Sequence, residues 1–223
     1  MSARALRWVR VCGGVALASG VLNAGLITMK QEAPGYFYSQ MGLASNGVLA
    51  FVLYIGFVVG LIGALAVQAQ QINWVGRIGF GMAIFALFDT LVPLITLLAL
   101  LSALVVRSDL NTAGLWASVV NDALLFVGLL LAAVGSFQAR RLPGWGVAAL
   151  VLLGLCLLPE MFFLFPANHL FQSVDYRSLN LFMYQTMFAF VIPTIMSLLW
   201  AVVGLALLMV KPNAVVAPAS QAT

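Results

Sequence analysis

Three carboxylates stand inside long apolar stretches of this chain: Asp89, Asp122 and Glu160. A charged side chain at the centre of a bilayer costs about 2.5–3.5 kcal/mol on insertion scales, so such residues face a bundle interior or a wet cavity and often mark a functional site. No Lys, Arg or His falls at the same depth of these stretches. The acids are then held as neutral carboxyls, hydrated, or balanced by a bound cation.

Their spacing sets their depth. Asp89 and Glu160 follow Trp74 and Trp145 by the same interval, about 22 Å of helix at 1.5 Å per residue. Trp residues gather at the membrane interface. In a hydrocarbon core about 30 Å thick, both acids therefore lie in the half remote from those two Trp. Asp122 lies about 10 Å in from the opposite face on the same rise, so the three share one layer. Asn23, Asn46, Asn121, Tyr184 and Gln185 fall at similar depth. These eight residues are the candidate ligand-binding or proton-carrying set, forming a polar pocket open to the outside.

The elements that must position them are membrane helices. Of 223 residues 64% are hydrophobic and 7% charged, with mean hydropathy +1.11, whereas a soluble domain carries about 25% charged residues. A spanning helix needs about 20 mainly apolar residues. Six runs qualify, near 11–29, 47–67, 78–106, 115–137, 145–165 and 181–210. The expected fold is all-α: one polytopic bundle over residues 1–210, with a disordered tail at 211–223. Pro93 and Pro193 sit inside the two longest runs and predict kinks; a fold-back at Pro93 would make seven spans. The first run follows Arg4, Arg7 and Arg10 in the manner of a signal peptide, but its length and the lack of a small-x-small end favour an uncleaved helix.

Orientation follows from Lys and Arg in short loops. Arg4, Arg7, Arg10, Arg77, Arg140, Arg141 and Lys211 fall on one side, against Lys30, Arg107 and Arg177 on the other. Both termini are thus expected in the cytoplasm. The loop acids Glu32, Asp109 and Asp175 all fall on the opposite side, and no N-x-S/T sequon occurs. A compact, loop-poor chain of this kind fits a bacterial inner membrane. The outer loops are aromatic, with Tyr36, Phe37 and Tyr38 in one of them, which suits the headgroup layer.

Two inner loops look alike: Gln68-Ala-Gln-Gln-Ile-Asn-Trp74 and Gln138-Ala-Arg-Arg-Leu-Pro-Gly-Trp145. Each is followed by an acid at the same interval, which suggests that residues 47–106 and 115–166 are a parallel repeat of the kind found in some transporters. Gly56-x-x-x-Gly60, followed by Gly63, predicts close approach of the second helix to a neighbour.

Other chemistries lack their residues. The lone histidine, His169, rules out a haem held by two histidines of this chain and argues against zinc, which takes several His or Cys ligands. Cys12 and Cys156 read as small core residues. The nine Met are scattered without a metal-binding cluster, and no P-loop, G-x-S-x-G or H-E-x-x-H occurs. No cofactor is expected, and the lipid bilayer is the expected partner, with other membrane subunits possible and no nucleic acid.

The turn Arg140-Arg141-Leu142-Pro143-Gly144-Trp145-Gly146, and the basic start leading into a first helix rich in Gly and Ala over 7–25, resemble small bacterial six-helix membrane proteins of unknown function. That resemblance implies an architecture and no activity. Three roles compete on the sequence. The polar layer fits binding or transport of a cation, proton or small solute. The absence of a recognisable site fits an accessory subunit or scaffold of a membrane complex. Leu158-Pro159-Glu160 is the sole motive for a membrane enzyme that protonates a lipid or isoprenoid, and the lack of any catalytic motif weighs against an enzyme.

Overall fold

A computed structural model describes residues 3–32, 40–92, 94–106, 110–164 and 190–211. In chain order its helices are α1 (Ala3–Glu32), α2 (Gln40–Gln68), α3 (Trp74–Leu91), α4 (Leu94–Val106), α5 (Leu110–Ala139), α6 (Gly144–Leu164) and α7 (Ile192–Leu208). No strand occurs among the described residues. Backbone N–H and C=O groups have no water to bond in hydrocarbon, so an apolar chain satisfies them within helices. Three stretches are long and apolar enough to cross a membrane: Arg4–Met29, Phe51–Gln68 and Trp116–Ala139. Gly144–Pro159 and Ile192–Leu208 are apolar but shorter.

The helices outrun the apolar segments that predicted them, by eight residues at the start of α1 and seven at the start of α2. Hydropathy marks what lipid accepts, while helical hydrogen bonding continues into polar flanks. The expected third run is two helices, interrupted at 92–93. Val92 closes α3 through its N–H to the Phe88 carbonyl at 2.9 Å, and Pro93 has no N–H to continue the ladder. The chain does not double back there. Along α5, Asn121 is about 16 Å from Leu110, and the length of α4 covers about 20 Å on the same rise. Since Thr90 bonds Asn121, α4 must carry the chain onward to reach the start of α5. Pro193 falls in the first turn of α7 as described, where a missing N–H is harmless; residues 181–189 of the expected sixth run lie outside the described residues. Pro159 is inside α6, which deprives the carbonyl four residues earlier of its helical donor.

Close backbone approach sets the registers. In the α1–α7 seam, a Cβ on Gly20 would strike the backbone of Ser197 and Ala201, and one on Gly204 would strike Gly13 and Leu17. In the α1–α2 seam Gly56 lies under Ser19, Gly60 under Ala16 and Gly63 under Cys12, so the predicted partner of the glycine face is α1. In the α3–α5 seam Gly76 faces Gly135, Gly79 faces Ala132 and Gly128 faces Ala83. All three pairs are antiparallel, since each step up one helix matches a step down the other. By contrast α2 and α7 run parallel, with Phe57 stacked on Trp200 at 5.0 Å and Gly63 beside Leu207.

Long apolar side chains point the other way. Leu97, Leu98, Leu101 and Leu104 of α4 are exposed, as are Phe137 of α5 and Trp8, Trp74 and Trp145. Much of the buried core is Ala, Leu and Val, with Phe80 its largest fully enclosed side chain.

One comparison tests the seams. Gly204→Ala has no room for its Cβ and is expected to cost about 1–3 kcal/mol through overpacking, whereas the Cβ of Gly25→Ala meets nothing within 4 Å. Thermal unfolding in detergent should show a clearly lower midpoint for the first variant and an unchanged one for the second.

Candidate functional site

Thr90 closes α3, and its hydroxyl donates to the Ala86 carbonyl at 3.1 Å. Across the seam Asn121 Nδ2 donates to Thr90 Oγ1 at 3.3 Å. The register that brings Thr90 to Asn121 also sets Asp89, one residue earlier on α3, level with Asp122, one residue later on α5. Asp89 is buried, at 3% exposure, and Asp122 is half-buried. Asn121 Oδ1 is enclosed and has no hydrogen-bond partner among the described residues. In apolar surroundings an acceptor left without a donor costs about 1–3 kcal/mol. The seam thus brings two carboxylates and an amide oxygen to one level near the end of a helix.

That helix end adds to the field. The last carbonyls of α3 lie where the helix dipole is negative. Pro93 cannot donate to the Asp89 carbonyl, its helical partner four residues back. Discontinuous helices in transporters present such ends to coupling cations. The oxygen-rich composition suits a proton or a small hard cation. No group of three His, Cys, Asp or Glu comes together among the described residues.

Asn23 belongs to a different seam. Its Nδ2 donates to Ser197 Oγ at 2.8 Å, and Ser197 Oγ donates to the Pro193 carbonyl at 2.7 Å. Ser197 is 2% exposed, so this chain of bonds locks α1 to α7 rather than lining the acids. The expected single polar layer is therefore divided between two helix pairs. Glu160 and Asn46 lie on α6 and α2, with side chains outside the described set, and Tyr184 and Gln185 lie outside the described residues. Thr90 and Ser197 were missed by the sequence reading because hydroxyls are common in membrane helices; only the register singles them out.

The two similar loops meet at the other end. Asn73 caps α3 by accepting from Gly76 N at 2.9 Å, while its Nδ2 donates to Gln138 Oε1. Arg141 Nε donates to Gln71 Oε1 at 2.7 Å. Cys12 and Cys156 are free thiols.

No protein-family model, curated protein or solved structure matches the chain. Its function has to be read from this geometry.

The register is directly testable. In a background lacking Cys12 and Cys156, Thr90→Cys with Asn121→Cys should oxidise to an intramolecular disulfide. Thr90→Cys with Leu131→Cys, about 15 Å further along α5, should not. Non-reducing gel mobility after proteolysis between the two positions reads the outcome.

Proposed function

We propose that this protein crosses a bacterial inner membrane six times, with both termini in the cytoplasm, and binds and passes a cation or proton at the α3–α5 seam. The alternating direction of neighbouring helices supports the six spans, with α1 antiparallel to α2 and α7, and α3 antiparallel to α5. The positive-inside rule supports the orientation. Arg140, Arg141 and Lys211 gather beside Ala5 and the end of α2, so the cations of separate segments share one end.

The observation that carries the binding role is the partnerless Asn121 Oδ1 at the level of Asp89 and Asp122, beside the interruption of α3. Each ligand group is an acceptor. A proton held on a neighbouring carboxyl, or a desolvated cation, is an occupant that satisfies the Asn121 oxygen. The division of this run into α3 and α4 supplies a discontinuous helix, and discontinuous helices in transporters serve to expose a bound ion to one side or the other.

Reconstitution into proteoliposomes tests this. Proton flux is followed with an entrapped pH dye, and alkali-cation flux under an imposed gradient. Asp89→Asn and Asp122→Asn are expected to reduce flux at least tenfold while eluting as monodisperse protein. Arg10→Gln, remote from the seam, should keep it. Flux at the wild-type rate in both Asp variants, or none in the unmodified protein for any ion tried, would remove the proposal.

A further inference from the structure

The end of the bundle remote from the acids holds a cavity of about 570 Å³. Four separate stretches build it: the start of α1, the end of α2 with the turn after it, the 140–143 loop and the chain leaving α7. Arg140, Arg141 and Lys211 line it together with Gln70 and Gln71. Its remaining wall is apolar, with Val67, Leu142 and Val210 among the contributors. No carboxylate lines it among the described residues. Asp89 stands about 22 Å of helix from Trp74, and Asp122 about 27 Å from Arg140, so neither offsets this charge.

Two features go beyond a simple excess of positive charge at a membrane face. Arg141 Nε donates to Gln71 Oε1 at 2.7 Å, which holds the guanidinium group at the wall. Arg140 has φ 51°, the sole positive φ among non-glycine residues described. It caps α5 through its N–H to the Ser136 carbonyl at 3.1 Å. Gly or Asn normally takes that position, and a side chain there costs about 1–2 kcal/mol. A left-handed Arg places two successive guanidinium groups in one turn at the cavity.

We infer that this cavity binds a phosphate group, and that its ligand is an anionic phospholipid of the inner leaflet. Arginine forks match phosphate oxygens in paired hydrogen bonds. Basic pockets between helices on the cytoplasmic side suit anionic headgroups. The apolar wall gives the glycerol and first acyl carbons a surface that a free phosphate would not use. This inference is independent of the acid seam and stands or falls separately.

Binding is measured on purified protein in neutral detergent by native mass spectrometry. The probes are phosphatidylglycerol, phosphatidylcholine and soluble glycerol phosphate. Saturable retention of phosphatidylglycerol over phosphatidylcholine is expected, reduced at least tenfold by Arg140→Gln combined with Lys211→Gln. Arg10→Gln, a cation of the same end outside the lining, should bind as the unmodified protein does. Arg140→Gly relieves the left-handed strain, so it should weaken lipid retention while leaving the unfolding midpoint equal or higher; this separates a lost ligand from a lost fold. Stronger retention of glycerol phosphate than of the lipid would overturn the lipid as source. Equal losses in the Arg10 and Arg140 variants, or no loss in the double variant, would overturn the site.

Discussion

Apolar side chains gain little by moving from lipid to another helix, so helices in a bilayer associate where surfaces interlock closely or polar groups pair. The three antiparallel seams obey that constraint. Gly13, Gly20 and Gly204 bring α1 and α7 to backbone contact, and Gly76, Gly79, Gly128 and Gly135 do the same for α3 and α5. Dispersion between backbones at this distance holds the bundle together, because each extra contact is small and many are made at once. Everything else follows from the registers so fixed. They place Thr90 on Asn121 and Asn23 on Ser197, and they turn the long side chains, such as Leu98 and Phe137, outward.

Much of the architecture was legible because lipid imposes simple rules. Apolar runs of spanning length predicted helices, and Gly56, Gly60 and Gly63 predicted a close face whose partner proved to be α1. Pro93 predicted a disturbance that took the form of an interruption between two helices. The site was less legible. Depth can be counted along a helix, but rotation about its axis and choice of neighbour cannot. Counting put Asn23 with Asp89, whereas packing gave Asn23 to Ser197 and Pro193. Asn121 was visible only as a polar residue of suitable depth; that its oxygen lacks a donor is a property of the neighbours. The cavity at the basic end was hidden for the same reason. Its cations served as evidence of orientation, and their convergence from separate loops has no signature in any one of them.

The two ends of the bundle are built from opposite materials. One is rich in acceptors, with carboxylates, an amide oxygen and the carbonyl end of α3. The other is rich in donors, with guanidinium groups and an ammonium around Gln70 and Gln71. Between them, the α3–α5 seam is the most direct mechanical link, since Asn73 caps α3 and holds Gln138 near the end of α5. A change in the angle between α3 and α4 would act against a pair of helices already tied at their far ends.

The pairing of α1 with α7 has a consequence for how the chain is made. Gly13 and Gly20 meet Gly204 and Ala201, so α1 finds a close partner in α7, which is synthesised long after it. At about 5–20 residues per second, the intervening chain takes on the order of ten to forty seconds to synthesise. Throughout that time the bare backbone groove of α1 is shared by lipid and α2. An insertion factor that shields such a groove, or early docking of α2 through Gly56, Gly60 and Gly63, would keep the nascent protein from pairing with a stranger.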